Sequence, residues 1–192
     1  MGAAERYEFF SEQNYLRLEE SSDVKHEYRE GVIYAMAGAK NSHNRIAGNG
    51  FASLHSKLKG KSCQPFTSDT KVRITRISGV THYYPDFLVV CEENPPDDTF
   101  QEKPVVIAEV VSSSTRRIDE GEKLDAYLTI PSLMVYLLVE QDEPAVVVHR
   151  RGERGFTREL HTGLVATIPL PEIDAELALA DLYDGVVFGS AE

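Results

Sequence analysis

The sequence predicts an α/β (α+β) fold: a mixed β-sheet flanked by helices, with extra strands at its N- and C-terminal ends. Three observations predict it. From residue 41 to 139 the elements run helix, strand, strand, strand, helix, strand. Residues 84–91 and 105–111 are short, β-branched runs that are apolar on both faces, the pattern of central strands buried on each side. Ala47, Phe51, Leu54 and Leu58 recur at helical spacing and give one helix a buried face. The chain of 192 residues has the length of one domain, read here as 1–192 with its core at about 41–139.

Taken in order, Ser11 caps a short helix through Glu20, with Tyr15, Leu16 and Leu18 as its apolar members. Residues 27–37 read as a strand pair turned at Gly31. Asn41 or Ser42 caps the next helix, in which Gly48 and Gly50 each weaken helix propensity by roughly 1 kcal/mol and imply close backbone packing. Gly60 ends it, and residues 63–74 read as one strand carrying Asp69. Ser78-Gly79 turns the chain into the Asp86 strand. Residues 92–104 form an acidic loop, and the Glu109 strand follows. It ends in Ser112-Ser113-Ser114-Thr115, a run of helix-capping hydroxyls. No partnered histidine or elbow glycines flank those hydroxyls, so capping is preferred to a nucleophile. Helix 116–130 carries Leu124, Tyr127 and Leu128 on one face, with Lys123 beside them, and Pro131 stops it. Residues 134–139 and 145–149 pair as strands, 156–160 and 165–168 add β structure, and a short helix or turn closes near 178–182.

Composition excludes several classes. No apolar run reaches membrane-spanning length, and residues 1–6 lead into polar sequence without a signal-peptide core. Cys63 and Cys91 fall in strand-like stretches and read as reduced core residues of a cytoplasmic protein, without zinc-ligand spacing. The net charge of −11 argues against broad binding to a phosphate backbone. Local basic groups remain at Lys57-Leu58-Lys59-Gly60-Lys61, Arg116-Arg117 and Arg150-Arg151.

The chemical clue lies in the two apolar strands. Alternation puts Asp86 on a face with Leu88 and Val90, and Glu109 on a face with Ile107 and Val111. A carboxylate there loses hydration, at several kcal/mol unless it is paired or binds a metal. Two in neighbouring strands repel, and a divalent cation is the simplest relief.

Pro85-Asp86, Glu109 and Lys123, in that order, resemble a PD-(D/E)XK nuclease core. More narrowly, the chain resembles the Uma family of restriction-endonuclease-like proteins over about residues 7–150. The matching pieces are Lys25-His26-Glu27-Tyr28, Gly31, Met36-Ala37-Gly38-Ala39, His43, Ser68-Asp69, Tyr84-Pro85-Asp86, Glu109-Val110, Ser112, Ser114-Thr115, Asp119, Lys123, Tyr127, Pro131-Ser132-Leu133 and Tyr136-Leu137-Leu138-Val139. The resemblance implies a restriction-endonuclease-like fold and phosphodiester hydrolysis, with DNA as the substrate. It implies Mg²⁺ (or Mn²⁺) held by Asp86 and Glu109, and Lys123 as the catalytic lysine. Two departures stand out. In the general pattern the lysine lies two residues after the second acid, where this chain has Val111. Ser113 stands where the family usually has proline.

Each site residue has a second reading. Asp86, Glu109 and Lys123 can form a buried ion-pair network without metal. Asp69 is either a third metal ligand or an aspartate satisfied by backbone amides. Glu30 either reaches the site or lies on the surface near Arg29. His43 either serves the site or hydrogen-bonds locally at a helix start, and the remaining histidines read as structural. At the level of function, a metal-dependent nuclease stands against a nuclease-fold binding or regulatory module without turnover. Exposed edge strands and the apolar 134–148 region suggest a homodimer.

Overall fold

The computed structural model describes residues 9–188, so the reading of residues 1–6 as lacking a leader lies outside the described residues. Helix α1 (Glu12–Ser21) begins as expected, with Ser11 Oγ accepting from the Asn14 amide at 3.2 Å. Strands β1 (His26–Arg29) and β2 (Val32–Ala35) form a hairpin whose two turn residues, Glu30 and Gly31, both have positive φ, 48° and 99°. That two-residue geometry matches the twist of the strands it joins.

Helix α2 (Asn41–Leu58) starts one residue earlier than expected. Asn41 and Ser42 already lie inside its first turn, so neither caps it, and Lys40 at the cap position makes no side-chain cap bond. Its buried face runs through Ile46, Gly50, Leu54 and Leu58, with Ala47 and Phe51 at the margin. The two glycines differ. A Cβ on Gly50 would stand 2.6 Å from the Phe87 ring, whereas one on Gly48 would meet open space.

The single strand expected over 63–74 is two strands, β3 (Gln64–Thr67) and β4 (Lys71–Arg76), separated by a turn closed by the Thr70 amide on Thr67 O. The Asp86 strand divides at the same level into β5 (Gly79–Tyr83) and β6 (Phe87–Val90), because Pro85 has no N–H to continue a ladder. β4 pairs with β5 and β3 with β6, so one long ribbon feeds two sheets. A two-residue β7 (Phe100–Gln101) lies in the acidic loop and runs parallel to β4.

Next comes β8 (Pro104–Val111) and a crossover made of a π-helical turn (Ile118–Lys123) running into α3 (Leu124–Tyr127). The crossover returns to β9 (Val135–Glu140), which lies parallel to β8. Strands β10 (Ala145–Gly152), β11 (Gly155–Thr162), β12 (Thr167–Leu170) and β13 (Ala175–Ala178) and the short α4 (Leu179–Leu182) complete the chain. The sheet orders are β2-β1-β5-β4-β7, β11-β10-β9-β8-β6-β3 and β12-β13.

Strand alternation divides the core. Val106, Ala108 and Val110 of β8 pack with α2, α4 and the β12–β13 pair. Ile107 and Val111 pack on the opposite face with Leu88, Tyr127, Tyr136 and, from the five-stranded sheet, Val72, Ile74 and Tyr83. Each fully buried aliphatic side chain contributes about 1.5–3 kcal/mol, so the central strands anchor whatever polar groups they carry.

Two expectations are corrected. Cys63 and Cys91 are joined in a disulfide with an S–S distance of 2.05 Å. Gln64 pairs with Val90, which puts the two cysteines opposite each other just beyond the ladder, a relationship that neither local pattern carries. The argument from free thiols to a cytoplasmic protein therefore falls. The apolar 134–148 region is also not a free face. β9 and β10 are interior strands with Val135–Val139 and Ala145–Val148 no more than 8% exposed, so their apolarity is explained within one chain. No helix of the described residues is long and apolar enough to cross a membrane.

Candidate active site

Asp86 sits at the bend between β5 and β6, one residue before Phe87, which pairs with Ala108. Its amide donates to Ala108 O at 3.1 Å, and the Val110 amide donates to Asp86 Oδ2 at 2.7 Å. The ribbon bend thus presses this carboxylate against β8. Glu109 lies on β8 between those two partners, 4% exposed, on the face that holds Ile107 and Val111. The bend and the ladder bring the two acids together.

Lys123 arrives from the crossover. Ser112 and Thr115 exchange caps, Thr115 N onto Ser112 Oγ at 3.3 Å and Ser112 N onto Thr115 Oγ1 at 3.1 Å. Thr115 O then accepts from the Ile118 and Asp119 amides. The serine run therefore launches the helical segment, as expected from its composition. The wide π turn that follows, a geometry frequent at functional sites, ends on Lys123. Its Nζ stands 3.0 Å from Glu109 Oε1, 3.0 Å from Glu27 Oε1 and 3.7 Å from Asp119 Oδ1. Tyr127 Oη donates to Glu109 Oε1 at 2.9 Å, and Tyr136 Oη to the Asp119 carbonyl at 3.0 Å. His43 Nε2 lies 3.3 Å from Asp86 Oδ2.

The electrostatics follow from three carboxylates around one ammonium, with Asp86 close by on His43. Burial disfavours the Lys123 ammonium, but Glu109, Glu27 and Asp119 more than offset it and hold it protonated beyond the ordinary lysine range. Burial pushes Glu109 well above the usual carboxylate range; Lys123 opposes this, while Asp86, Asp119 and Glu27 add to it. Asp119 is raised for the same first cause, burial, against the pull of Lys123. Burial would lower His43, yet Asp86 overcomes it and leaves the imidazole raised.

Glu27 and Asp119 are members that pattern reasoning did not assign to the site. Both belong to the motif pieces quoted above, and the four-residue spacing of Asp119 to Lys123 was a usable signal. For Glu27 the partner lies on a distant element, and the local sequence gives no such sign. Asp69 is not brought to this cluster. Its side chain is 82% exposed on the β3–β4 turn and pairs with Lys25 at 2.5 Å, because the ladder breaks where a continuous strand was expected. Glu30 is on the hairpin turn, paired with Arg76 at 3.0 Å and with Ser78 Oγ at 2.5 Å. The local basic groups are largely spent on acids: Lys57 on Asp181, Lys61 on Asp174, Arg116 on Glu140, and Arg150 on Glu159 and Glu172.

The donor set fits a hard divalent cation, being oxygen-rich and in charge excess. Glu109 Oε1 and Asp86 Oδ2 are engaged, while Glu109 Oε2 and Asp86 Oδ1 accept no hydrogen bond among the described residues. No three His, Cys, Asp or Glu of the described residues form a ready-made cage. A cation held by Asp86 and Glu109 alone would draw the rest of its coordination shell from water and substrate phosphate.

Residues 12–180 match the family model described as "Uma2: Putative restriction endonuclease". Two uncharacterized proteins of Synechocystis sp. are similar to the chain. One is 31% identical over 179 residues, 93% of each chain, and the other is 35% identical over 130 residues, 66% of this chain and 72% of its own. A crystal structure described as "a putative nuclease belonging to DUF820 from Anabaena variabilis" shares the fold. Its TM-score is 0.72 at 19% identity, covering 90% of this chain and 96% of that one.

Proposed function

The chain belongs to the Uma2 family, and from that premise we propose that it is a metal-dependent endonuclease of PD-(D/E)XK type, hydrolysing phosphodiester bonds in DNA. One observation carries this reading: three buried or half-buried carboxylates, Glu27, Glu109 and Asp119, surround the ammonium of Lys123, and the Asp86 carboxylate adds its charge at Glu109. Such an excess of negative charge in a low-dielectric place is stable only with protons or a cation.

Asp86 and Glu109 would hold Mg²⁺ or Mn²⁺, whose chemistry when bound is to neutralise phosphate charge and acidify water. The protein's own groups do the rest. Val110 N and His43 fix the orientation of Asp86, and Tyr127 does the same for Glu109. Lys123 keeps its proton and so acts as a hydrogen-bond donor, orienting water or stabilising the charge that grows on the phosphoryl oxygens. Val111 stands where the general pattern has lysine, yet Lys123 meets the same acid from a different backbone position, which supports the same role.

The alternative is a nuclease-fold binding or regulatory module without turnover. It draws on the closed Lys123–Glu109–Glu27 pairing and on the net charge of −11. Calorimetric titration with Mn²⁺ on the wild type, Asp86→Ala and Glu109→Ala separates the two, followed by plasmid cleavage with Lys123→Ala as control. Binding lost in both acid variants and cleavage lost in Lys123→Ala support the nuclease. No binding with or without DNA at millimolar metal returns the module. Cutting both strands calls for a homodimer or sequential nicking, which sedimentation during cleavage distinguishes.

A further inference from the structure

Beside the acid cluster lies a second feature that hydrolysis itself does not use. A cavity of about 300 Å³ opens at the edge strand β2, lined by Arg29, Tyr34, Arg76 and Tyr83. Tyr83 belongs to both places: it lines the cavity, and Lys123 Nζ lies 5.5 Å from its ring centroid. The Arg29 guanidinium is stacked on the Tyr34 ring at 3.6 Å, and that ring is 41% exposed. The Nε groups of Arg29 and Arg76 are both buried and have no hydrogen-bond partner among the described residues. Three acids, Glu30, Glu122 and Asp125, complete the wall.

These features select among ligands by chemistry. A phosphate is disfavoured, because Arg29 already pairs with Glu122 and Arg76 with Glu30, and the remaining carboxylate would repel an anion. An apolar group is disfavoured as well, since it would strip water from the wall carboxylates without offering them a donor. A neutral planar group with donors and acceptors on its edge meets every requirement. It stacks on the exposed Tyr34–Arg29 platform and donates to the wall carboxylates. A nucleobase has those properties. Guanine has them most completely, since its N1–H and N2–H stand side by side on one edge and can meet a single carboxylate such as Asp125.

We propose that this cavity receives one unpaired nucleobase, preferably guanine, next to the phosphodiester addressed by Lys123; the position relative to that bond rests on the nuclease reading above. A base leaves its stack at an energetic penalty, which apolar wedges often help to offset. Ile77, fully exposed at the tip of the β4–β5 hairpin, is the exposed apolar side chain next in sequence to the cavity residue Arg76.

The test uses the full chain without metal, so that it does not depend on turnover. Saturation-transfer NMR with guanosine, adenosine and uridine monophosphates reads contact with the base protons directly. The expected result is transfer to the guanine proton, binding at least five-fold tighter than for uridine monophosphate, and no displacement by inorganic phosphate. Tyr34→Ala should weaken binding about ten-fold while Tyr34→Phe retains it. Tyr34 lies half-exposed on an edge strand, and unaltered melting temperatures of both variants would show an intact fold. Displacement by inorganic phosphate, or equal binding by Tyr34→Ala, overturns the proposal. Base binding in a protein that cleaves nothing upholds the cavity and removes the nuclease. Cleavage without base binding does the reverse.

Discussion

Lys123 Nζ and Glu109 Oε1 lie 3.0 Å apart although the residues are separated by 14 positions and come from a π turn and a central strand. Breaking a buried pair by removing one partner leaves the other uncompensated, at about 3–5 kcal/mol. Lys123→Ala is expected to lose stability in that range, because Glu109, Glu27 and Asp119 all lose their counter-charge. Urea unfolding measures it, and millimolar Mn²⁺ should return part of the loss. A change under 0.5 kcal/mol would show that the cluster is not coupled.

The same cluster predicts a pH dependence whose sign is unusual for acids. Burial first, and then Asp86, Asp119 and Glu27, hold Glu109 above its ordinary value. The native state thus keeps a proton that the unfolded chain releases. Stability from this group is fully present below the ordinary carboxylate pKa and declines as pH rises through the raised native value. Glu12, Glu159 and Asp174 are shifted the other way and contribute stability that is lost on acidification. The difference between wild type and Glu109→Gln isolates the Glu109 share. Wild-type stability should fall relative to the variant as pH rises. Divalent metal, which requires the deprotonated carboxylate, should bind more tightly over the same window and release protons. Stability curves for the two proteins that stay parallel across that window would refute the assignment.

Much of this site is legible in the sequence. The strands of Asp86 and Glu109 declare themselves by uninterrupted β-branched runs, and Lys123 by its place beside an apolar helical stripe. What alternation does not encode is which sheet a strand joins. A period-two pattern reads the same on either side of Pro85, so the ribbon bend that aims Asp86 at β8 stays hidden, and with it the exposure of Asp69 on the facing turn. Glu27 was illegible for a related reason. Its hairpin reaches the site through pairing of β1 with β5, a long-range contact with no local trace. Cys63 and Cys91 likewise become neighbours only through the β3–β6 register.

The two α2 glycines look alike in sequence and are expected to respond oppositely. A Cβ on Gly50 would approach Phe87 Cε1 to 2.6 Å and Leu182 Cδ1 to 3.1 Å, and Phe87 adjoins Asp86. Gly50→Ala should therefore destabilise by about 1–3 kcal/mol through overpacking and displace the carboxylate, weakening Mn²⁺ binding. Gly48→Ala meets nothing within 4 Å, so it should stabilise by up to about 1 kcal/mol through helix propensity alone. Urea midpoints give both signs, and destabilisation by both variants would show that the α2 packing is misassigned.

Asp69 and Glu27 give the sharpest contrast for the metal. Asp69 is the acid that strand-based reasoning offers as a third ligand, but its exposed pairing with Lys25 lies on a turn, where such pairs are worth about 0–1 kcal/mol. Asp69→Ala should leave Mn²⁺ affinity within two-fold of wild type. Glu27 lies 3.0 Å from Lys123 Nζ and adds to the negative field at Glu109. Glu27→Gln removes that charge while keeping the shape of the side chain. It should weaken Mn²⁺ binding about ten-fold, equivalent to about 1.4 kcal/mol, by lowering the field that draws the cation in. It should also free Lys123 to pair more closely with Glu109, so added salt should affect the variant's metal affinity less than the wild type's. Calorimetry at two ionic strengths reads both effects. A larger loss for Asp69→Ala than for Glu27→Gln would mean that the cation sits toward the β3–β4 turn and not between Asp86 and Glu109.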